Sequence, residues 1–499
     1  MCYNFYIKLP VWQTLAFKAL RRSGMSDYKT TWREKIGYGV GAVGLDLSYG
    51  LFYSYLSYYL SSVLGLKEAF LLILTPLARI WDGINDPIMG TIVDSTKTKM
   101  GKYRPWIVIG ALSNAIVLSL LFTSFGMSGT KLYVYIAVMY ILWGMTNTMA
   151  DIPYWSMVPS FTNDPEDRNM VATVARTFSG IGQGIITIAT PIILPLLSSG
   201  MTTEDGYSAT GFSRWAIICG CFLVMFALIC VASTKERHVV YNAEKFSFKK
   251  MFKTIGSNDQ LIVFMIFAMV SNAGWYLTSG TAVYYFTDVL GEPTAQSLFS
   301  TIGAVGSVLG LLVIPVLEKK FTNRTIYQIS LCLAIAGYVL MYIFGPILNI
   351  TIALDISYIL ASTGIASMFV AQTIFLADIV DYGEYKNGKR SESITFSMKG
   401  FLQKMAYTIQ TFILFGGLAI MNYNSQITTG TINDSTKSAI SFICFGVPPI
   451  LLVISLIIFS TKFKLYGELR KNVHDFISAR RNEQDENDKL DEANEESAS

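Results

Sequence analysis

The chain of 499 residues is poor in charge, since only 15% of its residues are Asp, Glu, Lys or Arg. A soluble domain usually has about a quarter. The formal net charge of +4 is too small to predict binding to nucleic acid. Hydrophobic residues make up 52% of the chain. They recur in runs of about 20, the length that crosses a bilayer core. The composition therefore excludes a soluble enzyme and predicts repeated passage through a lipid bilayer.

Histidine and cysteine are also scarce. The two histidines, His238 and His474, lie in polar segments, which argues against a histidine proton relay inside the membrane. Five of the six cysteines lie in apolar stretches without paired spacing, so we expect neither a disulfide framework nor a metal cluster. We find no nucleophile–base pair either, and we predict neither enzymatic activity nor a cofactor.

Twelve apolar runs are long enough to span a membrane, and helices are expected because lipid offers the backbone no hydrogen-bond partner. Their predicted limits are 37–65, 69–94, 105–126, 131–159, 170–198, 212–233, 260–290, 295–317, 325–348, 351–381, 392–421 and 438–461. Alternate loops and both termini hold 31 of the 39 Lys and Arg residues, and the opposite loops hold four. The positive-inside rule then places both termini in the cytoplasm and the chain in the cytoplasmic membrane.

A short repeat divides the chain into two halves. Span one ends in YYLSSVLG (58–65) and span seven ends in YYFTDVLG (284–291). We therefore predict an all-α membrane protein of two six-helix halves with the major facilitator fold. The predicted segments are a cytoplasmic extension (1–36), the N-terminal half (37–233), a basic linker (234–259), the C-terminal half (260–461) and an acidic tail (462–499).

A few ionisable side chains remain at membrane depth, where each costs roughly 3 kcal/mol or more. They are Asp46, Arg79, Asp82, Asp86, Asp151, Arg176, Lys399 and Lys404. Such residues usually face the bundle interior and serve a function. The alternative is that these four acids and four bases only pair with one another to hold helices together.

The segment RIWDGINDPIMG (79–90) concentrates these charges in span two. Asp82 and Asp86 are four residues apart and share a helical face, with Arg79 on the same side. Two carboxylates in a low-dielectric interior repel each other, and a bound Na⁺ or proton would remove that penalty. The spacing predicts a site for a coupling cation, with both acids as metal ligands if the ion is Na⁺. Arg79 could be a gate, a counter-ion or a structural partner.

Span four supplies a complementary group in TNTMADIPYW (146–155). Thr148 and Asp151 share a face, and Trp155 lies one turn beyond Asp151. A carboxylate beside an aromatic ring is a common arrangement for holding a sugar, and Arg176 of span five could donate to the same hydroxyl groups.

A third group stands at the end of span two, where Asp94 precedes a loop containing Lys102 and Arg104. We interpret these residues as a loop clamp that controls opening. The alternative is an ordinary solvated basic loop.

Three segments resemble the glycoside–pentoside–hexuronide:cation symporter family. They are 79–106, 150–159 and 377–394, and the resemblance extends from about residue 36 to 465. It implies symport of a sugar (a di- or oligosaccharide, pentoside or hexuronide) with Na⁺, Li⁺ or H⁺ by alternating access. A lipid or sterol carrier of the same fold and a nontransporting sugar sensor are the alternatives.

The resemblance also implies roles for individual residues. The cation site would contain Asp82, Asp86, Thr148, Asp151 and Lys404, with Lys399 as the second choice for the lysine. The sugar site would contain Asp46, Asp151, Trp155, Arg176 and Phe369. Two positions on the sugar side depart from the family pattern. Leu45 stands where a lysine precedes the acid of span one, and Phe369 stands where a tryptophan borders the sugar.

Overall fold

The computed structural model describes residues 29–162, 165–198, 207–237, 255–388, 392–477 and 479–480, and these ranges contain helices and loops but no β-strand. The long helices are α1 (Trp32–Tyr58), α2 (Glu68–Ser95), α3 (Arg104–Leu121), α4 (Gly129–Ser156), α5 (Pro165–Leu197), α6 (Ala209–Ser233), α7 (Asp259–Tyr284), α8 (Ala295–Glu318), α9 (Asn323–Tyr342), α10 (Thr351–Asn387), α11 (Glu392–Ile420) and α12 (Asp434–Lys462). Residues 1–28 of the predicted extension, 238–254 of the linker and 481–499 of the tail lie outside the described residues, as does the Lys399 side chain.

The helices have the dimensions of membrane spans. Nine of those described are long and apolar enough to cross a membrane, or ten if α11 and the short helix Tyr423–Thr429, bent 60° from it, form one span. The other two, α1 and α2, have 27 and 28 residues. At 1.5 Å per residue each is about 40 Å long. These two contain Asp46 and the charges of span two. The architecture agrees with the predicted all-α membrane fold.

The repeat found in the sequence is present in the backbone. α1 continues into a π-helical turn at Tyr59–Val63, and α7 continues into one at Tyr285–Val289. Gly65 and Gly291 follow with φ of 65° and 71°, a left-handed conformation that glycine adopts without strain. The same sequence pattern therefore builds the same helix end in each half.

Three pairs of long helices make the main contacts between the two halves in the described part of the chain. α1 contacts α7, α2 contacts α11, and α5 contacts α8. Within the N-terminal half, α1 also packs on α5 and α6, and α2 packs on α4. The charged helix α2 thus lies between α4 of its own half and α11 of the other half. This position brings its side chains to the boundary between the halves.

The end of the bundle opposite the linker is fastened across the halves. The Tyr58 hydroxyl donates to Asp288 at 3.1 Å, and the Tyr423 hydroxyl donates to the second oxygen of the same carboxylate. The hydroxyl groups of Ser61 and Tyr284 lie 2.7 Å apart. We call these five residues the interhalf seal.

Ion pairs at the linker end of the described structure stay within one half. Lys35 pairs with Asp167 at 2.7 Å in the N-terminal half. Arg470 pairs with Asp378 at 2.9 Å in the C-terminal half. The polar contacts at the two ends of the bundle therefore differ. The seal joins the two halves, whereas these ion pairs at the linker end each stabilise a single half.

Candidate functional site

The middle of α2 carries a buried ion pair. Arg79 Nη1 lies 2.7 Å from Asp82 Oδ2, and the two residues are 3% and 4% exposed. Their spacing of three residues places both side chains on one side of the helix. Because a buried charge is costly unless it is paired, this contact allows both groups to remain ionised inside the bundle.

Four aromatic rings surround the Arg79 guanidinium, and we call them the aromatic cage. The centroids of the Phe52, Tyr53, Tyr140 and Tyr407 rings lie 5.3–5.9 Å from its central carbon. The hydroxyls of Tyr53 and Tyr140 also accept hydrogen bonds from it at 2.9 and 3.2 Å. Ring faces within about 6 Å attract a cation. The cage draws on α1, α4 and α11, so both halves hold Arg79.

Asp86 contacts two other helices. The Thr148 hydroxyl of α4 donates to Asp86 Oδ1 at 2.9 Å. Lys404 of α11 forms an ion pair with the other carboxylate oxygen, so the lysine preferred from the sequence is in direct contact with α2. The Asp86 side chain is 33% exposed, against 6% for Asp82. Asp86 is therefore the acid that an ion from solution reaches more easily.

The sequence predicted that the carboxylates of Asp82 and Asp86 repel each other, and these contacts differ from that prediction. Each of the two acids has a basic partner, so Asp82 and Asp86 do not face each other as uncompensated anions. The described residues contain no cluster of three or more His, Cys, Asp or Glu side chains that could hold a metal ion. A Na⁺ ion at this place would therefore need the Thr148 hydroxyl or backbone oxygens as additional ligands.

A glycine allows α4 to approach Asp82. A Cβ atom at Gly144 would lie 2.7 Å from Asp82 Oδ1, which is closer than real Cβ contacts. Any larger residue would force the carboxylate to move. The position of Asp82 between α2 and α4 thus depends on Gly144.

The second group lies next to the first, on α1, α4 and α5. Trp155 Nε1 donates to Asp151 Oδ1 at 3.0 Å, and the Arg176 guanidinium lies 3.8 Å from the centroid of the Trp155 ring. Asp46 is close enough to Asp151 and Arg176 to interact with their charges. We call these four residues the N-half group. Its carboxylates, guanidinium and indole together offer acceptors, donors and an apolar face, which match the surface of a sugar.

Phe369, the fifth residue expected at the sugar, lies in the other half on α10. Its ring packs edge-on against Trp275 of α7, with centroids 5.4 Å apart and an interplanar angle of 84°. The residues predicted to bind sugar are therefore divided between the halves, four on one side and one on the other.

The residues of the predicted clamp take part in a contact network. Lys102, which is only 2% exposed, pairs with Asp94 at 2.6 Å. Although burial alone would lower it, the Asp94 carboxylate raises the pKa of Lys102 above its usual value. Arg104 donates to the carbonyl of Val231 at 2.7 Å. This loop is thus more ordered than a solvated basic loop, and its part in gating stays a prediction.

Sequence reasoning missed one member of this network, Glu236. Its carboxylate accepts backbone N–H bonds from Lys102, Tyr103 and Arg104 at 2.7–2.9 Å. The positive end of the α3 dipole also favours an anion there. Glu236 lies just beyond α6, at the start of the predicted linker, and no local spacing indicates it.

Sequence reasoning also missed the tyrosines of the cage. A signal for one of them exists in span one, because Asp46, Tyr49 and Tyr53 are spaced for one helical face. Tyr407 has a similar signal, because Lys404 precedes it by three residues, whereas Tyr140 is one of several tyrosines in span four and no spacing distinguishes it.

Comparison with known families gives a match over most of the chain. Residues 37–466, from the first turns of α1 to just beyond α12, match the family described as MFS/sugar transport protein. The chain belongs to the MFS/sugar transport protein family. It is therefore a multi-pass membrane transporter with the major facilitator fold and not an enzyme, as the sequence predicted.

Individual proteins resemble this family member over similar lengths. A lactose permease of Leuconostoc lactis is 29% identical over 457 residues, covering 87% of this chain and 69% of the permease. The uncharacterized symporter YjmB of Bacillus subtilis (strain 168) is 28% identical over 407 residues, covering 80% and 85%. A crystal structure of a D-xylose-proton symporter superposes with a TM-score of 0.59 at 12% identity, over 87% of this chain and 97% of its own, and shows the shared fold. The sugar-transporter interpretation is confirmed, and the lipid-carrier and sensor alternatives receive no support.

Proposed function

We propose that this member of the MFS/sugar transport protein family imports a sugar or glycoside together with Na⁺ or H⁺ by alternating access across the cytoplasmic membrane. The observation that carries the proposal is the contact of Asp86 with both Thr148 and Lys404, beside the N-half group. The similarity to a lactose permease supports the sugar, and the similarity to a symporter supports the coupled ion. The basic loops support cytoplasmic termini.

The cation binds at Asp82, Asp86 and Thr148 in this proposal. In the structure, Lys404 supplies the positive charge beside Asp86 that a bound ion would supply. An arriving cation competes with that ammonium group and releases it. Because Lys404 belongs to α11 and Asp86 to α2, the exchange removes a contact between the halves. Ion binding thereby shifts the balance between arrangements of the two halves.

The sugar binds at the N-half group. Asp46 and Asp151 accept hydrogen bonds from its hydroxyls, Arg176 donates, and Trp155 covers an apolar ring face. The charge of Asp151 also interacts with those of Lys404 and Asp86, so the two ligands share an electrostatic neighbour. Any factor by which the cation raises the affinity for sugar must equal the factor by which sugar raises the affinity for the cation.

The contacts at the two ends of the bundle support alternating access. The interhalf seal closes the end opposite the linker, whereas the described ion pairs at the linker end lie within single halves. This combination is typical of a state that is open toward the linker. In the proposed orientation the linker side is the cytoplasm, so transport requires the seal to open and close in each cycle.

The proposal is tested by ion flux in sealed membrane vesicles. With lactose as the first probe, followed by a panel of disaccharides, pentosides and hexuronides, addition of the substrate should drive uptake of H⁺ or Na⁺. Asp82→Asn and Asp86→Asn should each abolish gradient-driven accumulation, and some sugar exchange should persist. Asp434→Asn, at an exposed acid near the start of α12, is the matched control and should transport normally. Normal accumulation by both site variants would show that the cation site is elsewhere.

A further inference from the structure

The C-terminal half has a polar group at the place that corresponds to an acid of the N-half group. The repeat at the ends of α1 and α7 pairs Tyr58 with Tyr284, and the same offset pairs Asp46 with Asn272. Asn272 is only 4% exposed, and its Oδ1 atom accepts no hydrogen bond from the described residues. Buried polar atoms usually have a partner, so this amide oxygen is available to accept a hydrogen bond from a ligand.

The face of α7 that carries Asn272 is directed toward the other half. Tyr276 lies one turn further along the same face. Its ring packs on that of Tyr407, with centroids 6.2 Å apart, and the Tyr407 ring packs in turn on Tyr53 of α1, with centroids 4.4 Å apart. Asn272 is therefore at the boundary between the halves, the region where transporters of this architecture carry their substrate.

An aromatic wall stands beside Asn272. Trp275 is three residues further on, is only partly buried, and is supported edge-on by Phe369. α7 and α10 are fixed to each other nearby, because Gln372 Nε2 donates to Ser271 Oγ at 3.1 Å. The indole ring is therefore held in place by a packed neighbour while part of its surface stays accessible.

We propose that Asn272 and Trp275, with Phe369 behind them, form a second sugar subsite, which holds the distal ring of a disaccharide or glycoside. The amide can donate to one hydroxyl and accept from another, and the indole can cover the apolar face of a pyranose. These groups are neutral, whereas the N-half group has two carboxylates and a guanidinium. The subsite therefore selects a neutral ring, and the substrate spans the two halves. This inference rests on the proposed sugar transport.

Binding to the purified full-length protein tests the subsite by isothermal titration calorimetry. The probes are lactose with methyl β-galactoside and xylobiose with methyl β-xyloside, so each disaccharide is compared with a single ring. Asn272→Ala and Trp275→Leu should each weaken disaccharide binding about tenfold, a loss of about 1.4 kcal/mol, and should change the single-ring glycoside less than about twofold. Trp275→Phe, which keeps a ring and the packing, should lie between wild type and Trp275→Leu.

Two further variants serve as controls for the binding measurement. Trp32→Leu, at a tryptophan that is 63% exposed, should leave both probes unaffected. Trp155→Leu, in the N-half group, should weaken both probes together. The subsite would be overturned if Asn272→Ala and Trp275→Leu lost as much affinity for the single ring as for the disaccharide. It would also be overturned if the wild-type protein bound a single ring as tightly as a disaccharide. A wild-type protein that neither binds nor transports any probe would contradict the proposed function itself.

Discussion

The two halves of the transporter share a backbone and differ in chemistry. α1 and α7 end in the same π-helical turn followed by the same left-handed glycine. Halfway along these helices, however, Asp46 corresponds to Asn272. The caged ion pair of Arg79 and Asp82 also belongs to the N-terminal half. The scaffold therefore follows the repeat, whereas most of the charged residues proposed to bind the ligands belong to the N-terminal half.

In the interhalf seal, equivalent residues of the two halves make the same kind of contact. Tyr58 and Tyr284 occupy equivalent positions, and both hydroxyls bond across the boundary, the first to Asp288 and the second to Ser61. The contact that joins the halves therefore uses an equivalent tyrosine from each, although the partners of the two tyrosines differ. A site for one ion has no such need and can be built from one half with a single lysine from the other.

Replacement of Arg79 should have the largest effect, a loss of stability, because the ion pair of Arg79 with Asp82 is more buried than the corresponding contacts of the C-terminal half. Arg79→Met leaves the Asp82 carboxylate without its partner in a site where that side chain is 6% exposed. Removing one member of a buried pair costs about 3–5 kcal/mol. The free energy of unfolding in mixed detergent micelles should fall by that amount.

The C-terminal half offers the matched control. Arg470 pairs with Asp378, but the Arg470 side chain is 40% exposed, so Arg470→Met should cost about 1 kcal/mol or less. The double variant Arg79→Met with Asp82→Leu should recover most of the lost stability, because it removes the unpaired charge as well. Equal losses in Arg79→Met and Arg470→Met would contradict the difference in burial between the two pairs.

Asp288→Asn should loosen the interhalf seal. The carboxylate accepts from both Tyr58 and Tyr423, and weakening charge-assisted bonds by about 1.4 kcal/mol shifts the closed–open balance about tenfold. A cysteine placed at Thr75, which is buried and lines a small cavity with Leu60 of the π-helical turn after α1 and Tyr407 of α11, reports the opening. An impermeant thiol reagent added on the face opposite the linker should label Thr75→Cys about tenfold faster when Asp288→Asn is also present.

Asp259→Asn is the control for the same chemical change within one half. Asp259 pairs with Lys386 at the linker end of the C-terminal half, so its loss should leave labelling of Thr75→Cys unchanged. Faster labelling in the Asp259 variant as well would mean that the seal does not control access.

Local spacing in the sequence predicted much of the site. Arg79 and Asp82 are three residues apart, and Asp151 and Trp155 are four apart; both pairs are in contact in the structure. Helical geometry fixes such pairs without knowledge of the fold. The contact of Thr148 with Asp86 was harder to predict from the residues themselves, because it needs α2 and α4 to be neighbours.

Features that depend on packing between distant segments were not predictable from one sequence. The aromatic cage combines α1, α4 and α11, and Glu236 reaches a loop from the end of α6. No local spacing brings the members of either set together, because they come from segments far apart in the chain and meet only in the fold. Trp275, which is proposed for the second subsite, is hard to recognise in the sequence for a related reason, since an aromatic residue in an apolar helix equally suits a lipid-facing surface.

Gly144→Ala should have the smallest effect, a modest change in the cation dependence of sugar uptake. The added Cβ would meet Asp82 Oδ1 at 2.7 Å, but that atom is the end of a side chain and can shift away from the methyl group. The carboxylate would shift within the proposed cation site without unfolding α4. The cation concentration that gives half-maximal sugar uptake should rise about threefold, which corresponds to roughly 0.6 kcal/mol.

Two glycines separate this effect from a general effect of adding a methyl group to a helix. Added Cβ atoms at Gly83 in α2 and at Gly416 in α11 would meet nothing within 4 Å. Gly83→Ala and Gly416→Ala should keep the wild-type cation dependence, with stability equal or higher because alanine favours a helix. A threefold change in Gly144→Ala alone would locate the ion beside α4 in the N-terminal half. An identical cation dependence in all three variants would show that Asp82 Oδ1 is not an ion ligand and would leave Asp86 and Thr148 to hold the cation.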